Sequence, residues 1–250
     1  MYLYKILHTF IHGSARKLGY IIMKSWKYPE STMNLLDLAI EAHLARMAIS
    51  DFVFVQIGAN NGVDEDPLRK HILRWNLKGI LVEPLPDIYE ELIQNYKDQA
   101  QLHFENAAVA GHDGKISMWR HETHDTLRLK ALSKTASLHR EIAFKRLNTN
   151  PQFGDYLREI VVTSISLSSL FAKYGISRLS LLFIDAEGYD WKIVREALSI
   201  GIKPSIIYFE HLNLEQGEKI ESRTRLLQNG YQYTEDSKDT LAVRKVIEGS

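Results

Sequence analysis

The chain contains no cysteine. That excludes disulfides, thiolate metal sites and cysteine nucleophiles, and it suits a reducing compartment such as the cytoplasm. Net charge is lacking too: 31 Lys and Arg balance 31 Asp and Glu, so nothing global points to nucleic acid or to an acidic polymer as partner. There is no apolar run of the length that spans a bilayer. The N-terminal stretch has neither the continuous apolar core nor the small-residue cleavage site of a signal peptide. Internal repeats and low-complexity tracts are absent as well. What is present is an ordinary globular composition, 45% hydrophobic and 25% charged over 250 residues, enough for one large domain or two small ones.

The most informative stretch is Phe52-Val53-Phe54-Val55-Gln56-Ile57-Gly58-Ala59-Asn60-Asn61-Gly62. A β-rich apolar run stops at two glycines with small and polar residues between them. Asp66-Pro67 then opens a helical pattern over 68–75, and Ile80-Leu81-Val82-Glu83 reads as a second strand ending in an acid. Strand, glycine turn, helix, strand and acid form the half-site of a nucleotide-type cofactor: glycine admits close backbone approach, and a carboxylate after the second strand accepts hydrogen bonds from ribose hydroxyls. The dinucleotide fingerprint needs a third glycine at fixed spacing, which this turn lacks. Asp64, Glu65 and Asp66 fill the place where a pyrophosphate would sit. They would repel phosphates but not a sulfonium cofactor carrying an ammonium group. The turn therefore favours S-adenosylmethionine over NAD, against the plainer reading of a tight turn in some other α/β protein.

Residues 1–50 read as an N-terminal helical extension. Up to position 29 they carry Lys5, Arg16, Lys17, Lys24 and Lys27 and no acid, with an apolar stripe at helical spacing through Leu3, Ile6, Leu7, Phe10 and Ile11. Two readings stay open: peripheral membrane contact, or a helical lead-in packed on the domain or on a second subunit, the simpler of the two. Ser31 could cap a second helix running through Ala48. From 51 to 250 the chain alternates apolar strands with helices, which implies a mainly parallel sheet covered on both faces. A third strand is expected over 102–109, and the Gly111–Gly114 turn predicts a hairpin into Lys115–Trp119. Residues 121–158 break the alternation with a basic, polar insertion containing His121, His124, Arg128, Lys130, Lys134, His139, Arg140, Lys145 and Arg146, with a loop at 148–151. An insertion at the edge of a rigid sheet suits acceptor contacts, or is a solvated helical excursion.

Two later apolar strands end in acids: Leu179-Ser180-Leu181-Leu182-Phe183-Ile184 in Asp185 and Glu187, and Ser205-Ile206-Ile207-Tyr208-Phe209 in Glu210 and His211. Ligands of open parallel sheets sit beyond the carboxyl ends of the strands, so these groups would meet beside the glycine turn. Methyl transfer to a hydroxyl needs in-line placement and a base. His211 has a suitable unperturbed pKa. Asp185 could orient the hydroxyl, serve as base, or hold a divalent metal, with Glu187 and His211 as further ligands if a metal is used. Taken singly, Asp185 could be only a helix cap, and Glu210 only the partner of a nearby Arg.

These motifs together resemble the FkbM family of S-adenosylmethionine-dependent methyltransferases. The resemblance spans about residues 50–245. It rests on Val55–Gly62, Val82-Glu83-Pro84, Asn106-Ala107-Ala108-Val109 and, most specifically, Phe183-Ile184-Asp185-Ala186-Glu187-Gly188-Tyr189-Asp190. It implies a Rossmann-like class I methyltransferase fold, an α/β architecture whose seven-stranded sheet has helices on both faces and one antiparallel strand at the edge. It also implies O-methylation, often of a sugar hydroxyl in a polysaccharide, glycolipid or glycosylated metabolite. The cofactor set it implies is Gln56, Gly58, Ala59, Asn60, Asn61 and Gly62 at the methionine end, Glu83 and Pro84 at the ribose, and Ala107 and Ala108 near the adenine. Asp185 and Glu187 fall at the reaction face. Gln56 stands where many class I enzymes carry an acid, and Asn61 where the family often has Asp; Asp64 or Asp185 could supply that charge.

The expected partner is a carbohydrate or glycoconjugate acceptor, not nucleic acid, with oligomerisation open and a cytoplasmic location, peripheral to the inner membrane face if residues 1–29 touch lipid. Two other functions compete. One is a non-catalytic cofactor-binding module at a membrane or in an assembly. The other is an NAD-dependent oxidoreductase on the same frame.

Overall fold

Valine, isoleucine, leucine and phenylalanine at successive positions make the central strands apolar on both faces, the pattern of a parallel sheet buried between helical layers. The computed structural model describes residues 34–122, 133–145 and 157–245. The basic stripe at 1–29, the Ser31 cap, His124, Arg128, Lys130, Arg146 and the 148–151 loop lie outside the described residues. By contacts the backbone divides into the units Met1–Leu38 and Ala39–Ser250. The elements in chain order are α1 (Leu35–Leu44), a 3-10 turn (Ile49–Asp51), β1 (Val53–Ile57), α2 (Arg69–Trp75), β2 (Lys78–Val82), α3 (Pro86–Asn95), β3 (Leu102–Glu105), β4 (Ala108–Val109) and β5 (Gly114–His121). They continue with β6 (Ala136–Ser137), α4 (Arg140–Lys145), β7 (Leu157–Ile165), α5 (Leu167–Tyr174), β8 (Leu181–Ile184), α6 (Asp190–Ser199), β9 (Ile206–Glu210), α7 (Gln216–Gln228), β10 (Tyr231–Glu235) and β11 (Asp239–Arg244).

The main sheet has seven strands in the order β10-β11-β9-β8-β1-β2-β3. Strands β3, β2, β1, β8 and β9 run parallel to their neighbours, while β11 is antiparallel to both β9 and β10. The antiparallel strand thus lies one place in from the edge, because the β10–β11 hairpin folds back between β9 and its own first arm. The chain leaves β1 toward β2 and β3 on one side and returns to β8 and β9 on the other, which makes the β1/β8 border the topological switch point where such sheets bind ligands. The core includes Val55, Ile57, Ile80, Val82, Ile184, Ile207 and Phe209 from the strands, with Trp191, Ile193 and Val194 of α6 packed against them.

Register sets the site. Ile57 pairs with Val82 on one side and Ile184 on the other, and Ile184 pairs with Phe209. The residues one step further, Glu83, Gly58, Asp185 and Glu210, therefore form a row across four strand ends.

Two local expectations fail. The third strand does not run from 102 to 109: it stops at Glu105, and after Asn106-Ala107 the short β4 joins a second sheet of order β4-β7-β5-β6. Asn106 fixes the break, its side-chain amide donating to the Glu83 carbonyl at 2.8 Å and the Pro84 carbonyl at 3.3 Å. Nor does β5 form a hairpin with β4; it pairs antiparallel with β7, over Gly114–His121 against Leu157–Ser164, and with β6. A turn signal cannot specify pairing with a strand so distant in the chain. Helix α2 also opens later than the Asp66-Pro67 pair implies. Asp66 Oδ1 still accepts from the Leu68 amide at 2.9 Å, so it caps the turn leading into the helix.

Candidate active site

The β1 turn is built for close packing. Gly58 sits at φ +76°, and a Cβ there would lie 1.9 Å from the Asp185 carbonyl oxygen, so only glycine fits between β1 and β8. The Gly58 and Ala59 amides both donate to the Val82 carbonyl at 3.0 Å. Asn60 follows in the left-handed region at φ 49°, which aims its amide at Glu83 Oε2, 2.9 Å away. The other Glu83 oxygen accepts from the Leu85 amide at 2.9 Å. Glu83 is thus a buried acid held by two backbone donors at the end of β2. Burial pushes its carboxyl up to about 7, against the lowering effect of the two amides and of Arg120. Of an ionised carboxylate's roughly four acceptor positions, two remain for a ligand.

A cleft opens above this row. Gly58, Asn60, Glu83, Pro84, Ala107 and Ala108 line it, as do Asp185 and Glu187. The other expected cofactor residues, Gln56, Ala59, Asn61 and Gly62, stand behind that surface. Gln56 is buried, and its amide donates to Asp66 Oδ1 at 3.2 Å. Tyr96 donates to the other Asp66 oxygen at 3.3 Å, and burial raises the Asp66 carboxyl. Asn61 Oδ1 accepts from the Val63 and Asp64 amides, and its Nδ2 donates to Asp64 and Glu91. Both polar side chains are used in shaping the turn.

At the other side of the cleft, carboxylate oxygens of Asp185, Glu187 and Glu210 lie within 4.8 Å of one another. Such a set of hard oxygen donors suits a divalent cation such as magnesium. Glu187 adopts φ 51° and Gly188 φ 95°, where a Cβ would strike Ile142. The loop is held by Asp190, whose carboxylate accepts from the Ala186 amide at 3.2 Å and the Gly188 amide at 3.0 Å. Full burial and the nearby Asp185 push the Asp190 carboxyl well above the usual range. Ser137 of β6 secures the same loop from above, donating to the Glu187 carbonyl at 2.8 Å.

His211 stands outside the carboxylate cluster and the cleft lining. It is buried, with Nδ1 3.0 Å from Thr240 Oγ1 and its backbone amide on the Lys238 carbonyl. Glu210 accepts from Asn213 Nδ2 at 2.7 Å rather than pairing with an arginine. The sequence places Glu210 beside Asp185 and Glu187, and the structure brings the three together. Sequence reasoning missed the loop-holding role of Asp190 and the individual residues of the far wall. That wall comes from the second sheet and from the insertion read above as suited to acceptor contacts, through Met118, Lys134, Ala136 and Leu138.

A family model described as the methyltransferase FkbM domain matches residues 56–233. No match is found among curated proteins. Among solved structures, the chain is similar to a methyltransferase FkbM from Methylobacillus flagellatus KT at 13% identity and a TM-score of 0.47, over 79% of this chain and 44% of that one. The chain thus spans less than half of that protein's length. It is similar to a methyltransferase from Geobacter sulfurreducens at 10% identity and a TM-score of 0.41, over 95% and 88% of the two chains. A third likeness is to Aeropyrum pernix fibrillarin with natively bound S-adenosyl-L-methionine, at 10% identity and a TM-score of 0.39, over 83% and 74%.

Proposed function

Since the chain belongs to the FkbM methyltransferase family, and is thereby an S-adenosylmethionine-dependent methyltransferase, we propose that it methylates a hydroxyl oxygen of a carbohydrate or glycoconjugate. The observation that carries this reading is the carboxylate cluster of Asp185, Glu187 and Glu210 at the reaction side of the cleft. Carboxylates only accept hydrogen bonds, so the cluster complements a surface of hydroxyl donors such as a sugar. The same charges repel a phosphodiester backbone, which supports an acceptor other than nucleic acid.

The cofactor supplies an activated methyl group on a sulfonium leaving group, so the protein has chiefly to bind, orient and exclude water. In this reading Glu83 receives the ribose hydroxyls, Ala107 and Ala108 face the adenine, and Gly58 leaves room for the amino-acid end. Gln56 and Asn61 act indirectly, by holding the turn. Asp185, which lines the cleft, takes the proton from the acceptor hydroxyl, and Glu187 and Glu210 orient the sugar. If a divalent cation serves the reaction, these three carboxylates would hold it, and it would acidify the bound hydroxyl. His211, tied to Thr240, supports the β9 end and is the alternative base.

No helix among the described residues is long and apolar enough to cross a membrane. The proposed setting is the cytoplasm, with residues 1–29 available for peripheral contact with its membrane face. Calorimetric titration with S-adenosylhomocysteine, with NADH as control, tests the cofactor. A glycan acceptor screen with and without EDTA then tests the acceptor and the metal. Cofactor binding with no methyl transfer to any glycan would favour a binding module and refute the acceptor assignment.

A further inference from the structure

Residues 133–138 form one wall of the cleft and are tied to the rest of the fold by a short strand and by side chains. Strand β6 is two residues long and pairs with β5 only at Trp119–Ser137 and Arg120–Ala136. Side chains supply the rest. At one end Ser137, buried, is bonded to the Glu187 carbonyl. Arg120 Nε donates to the Ser133 carbonyl at 2.6 Å while its guanidinium grips both Asp87 oxygens, at 2.8 and 2.6 Å. Lys134 Nζ reaches Asp64 Oδ2 in the β1–α2 turn and Glu91 Oε2 on α3, at 2.9 Å each. Asn61 Nδ2 donates to the same two oxygens, at 2.9 and 3.2 Å, and holds them together.

The two ends differ in character. The Ser137 end is a buried neutral hydrogen bond. At the Lys134 end the side chains are 27% exposed for Lys134, 56% for Asp64 and 47% for Glu91. Water and salt reach that end, so it can break and re-form where the buried end cannot. Lys134 is also a cleft-lining residue, as are its neighbours Thr135 and Ala136. Its ion pairs join the wall carried by the insertion to the β1–α2 turn and to α3, beside the space assigned above to the cofactor.

We propose that Lys134 is a positioning residue that latches the 133–138 strap over the bound cofactor, and that cofactor release requires its ion pairs with Asp64 and Glu91 to open. The proposal rests on the reading of this cleft as the S-adenosylmethionine site. Ser133 beside Lys134 is buried and held by Arg120, as Ser137 is held at the Glu187 carbonyl, so the part that moves is the Lys134 side chain between them, and its departure from Asp64 and Glu91 sets the rate of exchange. Asp64 is held below the usual carboxylate range by the Lys134 ammonium and by Asn61, so the latch stays charged through the neutral pH range. Salt is the variable that loosens it.

The test is the dissociation rate of S-adenosylhomocysteine from the full chain, measured by stopped-flow displacement at about 0.05 and 0.5 M salt. Wild type is expected to release the ligand faster at high salt. Lys134→Met is expected to release it roughly three- to tenfold faster at low salt, the range for two partly exposed ion pairs, and to lose the salt dependence. Lys134→Arg should restore near-wild-type release, and the thermal midpoint of ligand-free Lys134→Met should match wild type. If Lys134→Met is unfolded, the Asp64→Asn/Glu91→Gln double variant opens the latch from the other side and is expected to give the same acceleration. Release from Lys134→Met at the wild-type rate at low salt, or wild-type release that does not respond to salt, overturns the latch and leaves the cofactor site standing. A wild-type protein that does not bind the ligand overturns both.

Discussion

Cofactor affinity should depend on pH through one residue. Glu83 is 3% exposed and its carboxyl is raised from 4.5 to about 7 by burial. The charged groups nearest to it are Arg120, which stays protonated, and Asp87, whose carboxyl Arg120 holds low. That leaves Glu83 as the titrating member of the group. The folded protein keeps the Glu83 proton up to about 7, while the unfolded chain releases it near its ordinary value. This contribution to stability is therefore full below about 4.5 and is lost as pH rises through about 7. It amounts to about 3 kcal/mol for a shift of about 2.5 units at 1.36 kcal/mol each. Ribose hydroxyls need the ionised acceptor, so ligand binding runs the other way and expels the proton. S-Adenosylhomocysteine should bind about tenfold more weakly one unit below that pKa than on the plateau above it, with release approaching one proton. Calorimetry in two buffers of different ionisation enthalpy measures both quantities. Glu83→Gln should remove the pH dependence. It turns an amide donor toward either the Asn60 or the Leu85 amide, at a cost of about 1–3 kcal/mol, and removes charge-assisted bonds to the ribose, each about 1.5–3 kcal/mol. Affinity at pH 8 should fall roughly ten- to a hundredfold. A pH-independent affinity in wild type, or the same pH profile in Glu83→Gln, would refute the reasoning.

Four further perturbations separate binding, chemistry and stability. Gly58→Ala forces a Cβ onto the Asp185 carbonyl oxygen and should destabilise the fold by about 3 kcal/mol or more; a thermal or urea midpoint within error of wild type would contradict the close β1–β8 packing. Asp185→Asn should reduce turnover at least a hundredfold, the scale of losing a general base, while S-adenosylhomocysteine affinity changes less than about threefold. His211→Ala should lower the unfolding midpoint more than it lowers turnover, and the reverse result would make His211 the base. Asp190→Ala leaves the Ala186 and Gly188 amides without their acceptor. It should cost about 2 kcal/mol of stability and lower kcat with little effect on cofactor affinity, read from melting curves and steady-state kinetics.

The parts legible in the sequence are those coded locally. The glycine turn, Glu83 and the acids after β8 each follow a strand visible as an apolar run, and the parallel-sheet rule then sends them to one edge. Gln56 and Asn61 match the cofactor motif by position, and the partners of their side-chain amides, Asp66, Asp64 and Glu91, come from the structure alone. Glu210 is legible in the same way, at the end of an apolar run, but its exact alignment with Asp185 is not, since nothing near it in the chain says that Ile184 lies opposite Phe209. The second sheet is hidden for a related reason: β4 and β6 are two residues long, below the length at which alternation carries information, and β5 finds its partner across the insertion. Lys134 looked like one charge among many in a basic segment. Its two partners belong to other parts of the chain.

The row of Glu83, Gly58, Asp185 and Glu210 follows from backbone pairing, and adjacent strands sit about 4.8 Å apart whatever side chains they carry. The sheet is therefore a ruler. From Glu83 after β2, the proposed ribose acceptor, to Asp185 after β8 is two strand spacings, about 10 Å, and on the proposed assignment that interval is the length of ligand measured between sugar anchor and reacting end. Substitutions in the cleft can change what is recognised at each mark, but they cannot move the marks. A cofactor analogue lengthened by one bond between ribose and sulfur would carry its transferable group past Asp185 without loosening its hold on Glu83.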